Sequence, residues 1–141
     1  MRNLDDRVGY HIGIVAHLMQ NKFNQKLSEF GLTVAQSKVL FLLVQHGEQL
    51  QSELQNRLYI KASTMNGIID SMLKKGLIEK IDSTLDRRQK QIVLTEKGEL
   101  LEERLWDEVG EMDDSLMKGF LPEERQLFLA WLRKISNHLQ Q

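Results

Sequence analysis

The chain of 141 residues contains no cysteine, and this absence excludes disulfides, cysteine-ligated zinc, thiolate nucleophiles and thiol-based redox sensing. It contains a single proline, Pro122, and few runs of β-branched residues, so its composition favours helices. No apolar run approaches the roughly 20 residues that a membrane span requires, and residues 1–7 lack the apolar core of a signal peptide. We therefore expect a mainly helical, cytoplasmic protein of one domain, with or without an added oligomerisation element.

Signatures of catalysis and of cofactor binding are also missing. The sequence has no Gly-x-Gly-x-x-Gly, Walker or Gly-x-Ser-x-Gly motif. Its histidines show no zinc-type pair, and His11 and His17 are six residues apart, so they do not share a helical face. The adjacent acidic pairs 102–103 and 113–114 are typical of a solvated helix face. We expect a protein that is not an enzyme and needs no cofactor.

Charge is unevenly distributed along a chain whose formal net charge is only −1. Residues 74–90 include six basic and three acidic residues, a net charge of +3. Residues 96–124 include eleven acidic and three basic residues, a net charge of −8. The first segment can approach a polyanion, whereas the second would be repelled by it.

Apolar spacing predicts the order of the secondary-structure elements. The pattern indicates four helices, two short strands and two further helices, over about residues 4–30, 33–46, 51–58, 62–75, 77–81, 91–94, 96–120 and 122–139. Thr33 and Gln36 form a capping-box pattern at the start of the second helix. Between the two strands lies a polar, basic segment that is too long for a tight turn, so we expect a hairpin with an extended tip.

The middle of the chain has the element order of a winged helix-turn-helix, because helices 51–58 and 62–75 are joined by about three residues. The second of these helices would lie in the major groove of DNA. Near its start, Lys61 is suited to a phosphate, Ser63 and Thr64 to base edges, and Asn66 to adenine. The alternative is that these residues form an ordinary solvated helix face.

The hairpin tip supplies the second candidate DNA contact. Arg87, Arg88 and Lys90 are basic, and an arginine at an exposed tip can enter the minor groove, where negative potential is concentrated. Asp86 would repel DNA if it were unpaired, but it can hold Arg88 extended through a charge-assisted hydrogen bond. The alternative is an ordinary surface salt bridge, worth less than about 1 kcal/mol.

At these residues the sequence resembles the MarR family of bacterial transcriptional regulators. The similarity lies in Leu73-Lys74-Lys75-Gly76-Leu77, in Asp86-Arg87-Arg88 and in Leu94-Thr95-Glu96-Lys97-Gly98. The resemblance implies a homodimer that binds a palindromic operator, usually as a repressor, and that a small lipophilic or phenolic effector releases. It also implies that Arg88 is the wing arginine of the minor groove and Asp86 its partner.

The chain departs from the family pattern in the helix-turn-helix. Gln55 follows Leu54 where the family usually has a small residue, and Met65 and Gly67 replace the common valine and arginine of the recognition helix. A glycine there removes a base-reading side chain and costs about 1 kcal/mol relative to alanine. The operator sequence therefore cannot be transferred from relatives.

The predicted fold class is mainly α with a small β-hairpin: a winged helix-turn-helix plus a helical dimerisation domain. We assign residues 1–32 to an N-terminal dimerisation helix, 33–95 to the DNA-binding domain and 96–141 to C-terminal dimerisation helices. The apolar faces of the last two helices, with Trp106 and Trp131, exceed what a small winged lobe can cover, so a second copy is expected to bury them. The alternative is a monomer in which these helices fold back as a bundle.

Three further hypotheses concern ligands and partners. An effector pocket would be lined by the first, second and fifth helices, with Met19, Phe41 and Trp106 as candidates by location. Some relatives sense metals, so a metal-responsive regulator using His11 or His17 with acidic ligands is an alternative. A winged-helix protein-interaction module that has lost operator reading is another, favoured by Gly67 and by the near-zero net charge.

Overall fold

The structure, a computed structural model, describes residues 1–83 and 88–141. After a 3-10 turn at Leu4–Asp6, the elements in chain order are α1 Val8–Glu29, α2 Val34–His46, β1 Gln49–Leu50, α3 Gln51–Leu58, α4 Ala62–Lys74, β2 Ile78–Asp82, β3 Lys90–Leu94, α5 Glu96–Leu116 and α6 Pro122–Leu139. The prediction of a mainly helical winged helix-turn-helix is confirmed. The chain forms two compact units, Met1–Glu103 and Arg104–Gln141, and the functional division predicted at residues 32 and 95 stays a prediction.

The sheet contains three antiparallel strands in the order β1-β3-β2. β2 and β3 pair over five residues each, from Ile78 opposite Leu94 to Asp82 opposite Lys90. β1 adds Gln49 opposite Ile92 on the other side of β3. Only the hairpin was predicted, because a strand of two residues is too short to show alternation. The extra strand connects the start of the helix-turn-helix to the wing.

The junction between α1 and α2 is built by local backbone chemistry. Gly31 follows α1 with a positive φ of 69°, the conformation that ends many helices and that glycine adopts without strain. Thr33 Oγ1 accepts a hydrogen bond from the Gln36 backbone N–H at 3.2 Å, and Gln36 Oε1 accepts one from the Thr33 N–H at 3.1 Å. The predicted capping box is therefore present, and α2 that follows is the central helix, with Val39 and Leu40 fully buried.

The C-terminal end of α4 is anchored to that junction. Lys75 Nζ donates to the Gly31 carbonyl at 2.5 Å and to Gln36 Oε1 at 3.0 Å, while Gln36 Nε2 donates to Ser71 Oγ at 2.9 Å. The inner face of α4 is secured by its apolar residues, of which the fully buried ones are Met65, Ile69 and Met72. Burial of each such side chain contributes about 1.5–3 kcal/mol. α4 is therefore a fixed platform for the residues on its outer face.

The segment Leu94–Gly98 joins the wing to α5 and to the end of α4. Thr95 Oγ1 donates to the Gly76 carbonyl at 2.7 Å and accepts from the Gly98 N–H at 3.1 Å, so it caps α5 as predicted. Lys97 Nζ donates to the Lys75 carbonyl at 2.8 Å. A Cβ at Gly98 would lie only 2.1 Å from the Leu77 carbonyl oxygen, so only glycine fits where α5 crosses the start of β2.

Two helices present unburied apolar faces. On α1 every residue from Val8 to Lys22 is exposed, including Val8, Ile12, Val15, Leu18 and Met19. On α6 every residue except Arg125 is exposed, and the apolar exposed residues there include Leu127, Phe128, Trp131, Leu132 and Ile135. Soluble monomers rarely expose contiguous apolar patches of this kind, so the two faces are candidate interaction surfaces.

Within the second unit, the turn between α5 and α6 is held by charge and by capping. Arg125 donates to Asp114 at 2.8 Å and lies 3.9 Å from Asp113. The Leu121 N–H donates to Glu124 Oε1 at 2.8 Å, and Pro122 occupies the first turn of α6, as predicted.

None of the described helices alone has the length and hydropathy of a membrane span. Over residues 1–83 and 88–141, only α1 and α2 taken together meet that test, and the chain bends by 83° between them.

Candidate nucleic-acid interface

The start of α4 presents a polar face to solvent. Lys61 is the N-cap residue, with extended φ and ψ of −76° and 154°, and no side chain caps the helix there. Lys61, Ser63, Thr64 and Asn66 are all exposed, whereas Met65 between them is fully buried. The first backbone N–H groups of a helix lack intrahelical acceptors, so this end offers donors and a positive dipole to an anion such as a phosphate.

Asn66 is oriented by a residue that the sequence did not indicate. Gln51 Nε2, at the start of α3, donates to Asn66 Oδ1 at 2.6 Å. Asn66 therefore keeps both amide N–H donors and one lone pair of its oxygen for other partners. The two residues are 15 positions apart in different helices, so no periodicity or motif predicts their contact.

The turn between α3 and α4 contains Tyr59, which has a φ of 57° and a ψ of 43°. It is the only described residue other than glycine with a positive φ, and 81% of its surface is exposed. A bulky residue in the left-handed region is strained, and such strain is more common at functional sites than elsewhere. Its hydroxyl is a group that can donate to a phosphate oxygen.

The wing carries the remaining candidates. Arg88 is exposed, and Lys90 forms an ion pair with Asp82 at the end of the β2–β3 ladder. The charge of Lys90 is thus balanced in the free protein by an exposed carboxylate, which weakens the attraction of Lys90 to DNA. Asp86 and Arg87 lie outside the described residues, so the predicted pairing of Asp86 with Arg88 stays a prediction.

The predicted effector-pocket residues Met19, Phe41 and Trp106 lie on α1, α2 and α5, and none of them is fully buried. Met19 is exposed on α1 and Phe41 is half-buried on α2, and neither lines the cleft that α2, β3 and α5 form in the first unit. Trp106 belongs to the second unit, where 60% of its surface is exposed. Their assignment to an effector pocket stays a prediction.

The histidines considered as metal ligands have other partners. His11 Nε2 lies 2.7 Å from the Asp5 carbonyl oxygen, and His17 Nε2 lies 3.4 Å from Asn21 Nδ2. Over residues 1–83 and 88–141, no three acidic, histidine or cysteine side chains are placed to hold a metal ion.

Comparison with known proteins identifies this architecture. The MarR family model matches residues 32–90. The repressor MdtR of Bacillus subtilis is 33% identical over 113 residues, which cover 79% of this chain and 72% of MdtR. The regulator FarR of Neisseria gonorrhoeae is 28% identical over 92% of each chain.

Solved structures agree over nearly the whole chain. BpsR of Bordetella bronchiseptica, whose DNA binding is regulated by 6-hydroxynicotinic acid, superposes with a TM-score of 0.84 at 25% identity, covering 96% of this chain and 97% of BpsR. MepR of Staphylococcus aureus, in its complex with DNA, superposes with a TM-score of 0.82 at 27% identity, covering 94% and 98%. Proteins of this family are DNA-binding transcriptional regulators that act as dimers. The sequence identity, the winged helix-turn-helix and the Lys-Gly and Thr-Glu-Lys-Gly segments together show that this chain belongs to the MarR family.

Proposed function

We propose that the protein is a cytoplasmic transcriptional repressor that binds a palindromic operator as a homodimer and that a small effector releases. The observation that carries this proposal is the exposed polar start of α4, which is anchored through Lys75 and Ser71 and stands in the same unit as the wing. A rigid platform of this kind supports base reading, because the contacting side chains need not be ordered on binding.

Homodimer formation is supported by the apolar faces of α1 and α6. These faces are exposed in the single chain. Their burial against a second copy would stabilise the dimer by about 25 cal/mol per Å² of apolar surface. A two-fold dimer would place two recognition helices about one DNA turn apart, roughly 34 Å, which matches the half-site spacing of a palindrome.

Each candidate DNA residue has its own proposed role. Lys61 and the backbone N–H groups of α4 hold a phosphate, Ser63 and Thr64 contact base edges, and Asn66 reads a base from the position that Gln51 sets. The wing arginines Arg87 and Arg88 enter the minor groove, with Asp86 as the positioning residue and Lys90 at the wing base.

The operator is found by selecting bound fragments from the source genome, and substitutions then separate the roles of the residues. We expect Arg88→Ala to weaken binding to the selected palindrome by at least about 1 kcal/mol. Lys61→Ala should weaken all DNA sequences alike, whereas Asn66→Ala should change sequence preference, because only base contacts carry sequence information.

The control is Lys38→Ala, which removes one exposed positive charge from α2, outside the predicted interface. Equal losses of operator affinity for Arg88→Ala and Lys38→Ala would show a non-specific charge effect. That result would refute the assignment of Arg88 to the minor groove. A uniform loss for Asn66→Ala across sequences would refute its base-reading role.

A protein-interaction module with the same fold makes a different prediction. Its partner binding would not follow the steep salt dependence that release of DNA counterions produces. Fluorescence anisotropy of labelled duplex at several salt concentrations therefore separates the two functions.

A further inference from the structure

An open cleft lies within the first unit, between the end of α2, strand β3 and the first two turns of α5. Its volume is about 460 Å³, and it is lined by Leu43, Val44, Gly47, Glu48, Val93, Leu94, Glu99, Glu102 and Glu103. Small-molecule sites in proteins have volumes of roughly 300–1,000 Å³. The cleft is therefore large enough for a small organic ligand.

The charged groups of the cleft have one sign. Four of its lining residues are glutamates and none is basic. Glu48, Glu99 and Glu103 are exposed at its rim. An anionic or phenolate ligand would be repelled here, whereas a cation would be attracted.

Glu102 distinguishes this cleft from an ordinary acidic surface. Only 6% of its surface is exposed, and among the described residues it forms no side-chain hydrogen bond and no ion pair. Burial, and to a smaller extent the neighbouring charge of Glu103, raises the pKa of the Glu102 carboxyl. Desolvation disfavours the charged form of the Glu102 carboxyl, and a ligand cation in the cleft would stabilise that form.

The other residues that line the cleft indicate that the uncharged part of the ligand is apolar. Leu43, Val44, Val93 and Leu94 are apolar and would contact hydrocarbon groups rather than a hydrated ion. A metal ion would need several converging donors, and the described part of the chain contains no such group of three. An organic cation with an apolar body satisfies both the carboxylates and the aliphatic walls.

We propose that this cleft binds a small lipophilic organic cation, with Glu102 as its buried counter-ion, and that this cation is the effector of the proposed repressor. The effector assignment rests on the proposed function. The cleft contacts both the wing, through β3, and α5, so a ligand that prefers one spacing of these elements shifts the population of DNA-competent protein. Linkage then requires DNA to weaken cation binding by the same factor.

The test uses benzyltrimethylammonium as the probe, with the full chain and isothermal titration calorimetry. Neopentylbenzene has the same shape without the charge, and benzoate carries the opposite charge. We expect the cation to bind more tightly than either control compound. Glu102→Gln should weaken cation binding at least about ten-fold, because it removes a partly desolvated charge pair. Glu111→Gln, which changes an exposed glutamate of α5 outside the cleft, should leave binding unchanged.

A second variant protects the test against misfolding. Glu99→Gln changes an exposed cleft residue, so it should weaken cation binding by a smaller factor with no effect on folding. Absence of cation binding, tighter binding of benzoate, or equal effects of Glu102→Gln and Glu111→Gln would overturn the proposed site.

Operator affinity is measured separately with and without the probe. A fall in operator affinity with saturating cation supports the effector role, and unchanged affinity overturns that role. If the protein binds no operator in the absence of cation, the proposed function fails, and this result is independent of whether the calorimetry detects the cation.

Discussion

The side chain of Glu102 lies almost entirely out of solvent on the second turn of α5, and its neighbour Glu103 is exposed. The sequence predicted a solvated face for both residues, and this prediction is wrong for Glu102. The spacing of charges along a helix shows which residues share a face. It does not show that Glu102 lies in a cleft lined by residues of α2 and β3.

The raised pKa of Glu102 makes the stability of the protein depend on pH. Because burial raises the pKa of Glu102 above 4.5, the folded state binds more protons than the unfolded state just above pH 4.5. Stability from this group is therefore greatest below about pH 4.5 and falls as the pH rises through the raised pKa. We expect Glu102→Gln to increase the free energy of unfolding at pH 7, with the gain disappearing at acidic pH.

Urea unfolding at fixed protein concentration measures this effect, since a dimer's stability depends on concentration. Glu103→Gln is the matched control and should have a smaller effect. A loss of stability in Glu102→Gln at pH 7 would show that the carboxylate stabilises the ligand-free fold, which contradicts this prediction.

At the scale of elements, local signals predicted the helix-turn-helix well. The helix predicted at 51–58 is observed at Gln51–Leu58, and the one predicted at 62–75 at Ala62–Lys74, because apolar spacing and glycine stops define them. Strand β1 was missed, and so was the contact between Gln51 and Asn66. Both depend on partners distant in sequence, which local patterns do not encode.

The packing of α5 against the wing makes a prediction at this scale. Gly98→Ala would place a methyl group 2.1 Å from the Leu77 carbonyl oxygen and 3.1 Å from Leu94 Cδ2, so the helix must shift. We expect a loss of about 1–3 kcal/mol in the free energy of unfolding. Urea unfolding monitored by circular dichroism measures it.

Gly67→Ala is the control for that experiment. Gly67 lies within α4, and a Cβ there meets no atom within 4 Å. The same substitution should therefore stabilise the protein by about 1 kcal/mol, as alanine does inside a helix. Equal effects at the two positions would contradict the close contact between α5 and β2.

For the whole molecule, the exposed apolar faces decide the state of assembly. Phe128 and Leu132 are one helical turn apart on α6, and both are exposed in the single chain. We expect Phe128→Glu combined with Leu132→Glu to produce a folded monomer, because two charges would be buried at the dimer interface. Gln126→Glu adds charge to an exposed polar position of α6 and should leave a dimer. Light scattering after size exclusion gives the mass of each.

Operator binding by a homodimer is tested most directly by the stoichiometry and salt dependence of binding to a selected palindromic duplex, measured by sedimentation and anisotropy. We expect two protomers per duplex. We also expect an affinity that falls at least about a hundred-fold between 50 and 200 mM salt, because about four or more phosphates are neutralised. A single protomer per duplex, or an affinity that salt does not change, would contradict the proposal that the recognition helices and wings of two protomers bind the operator.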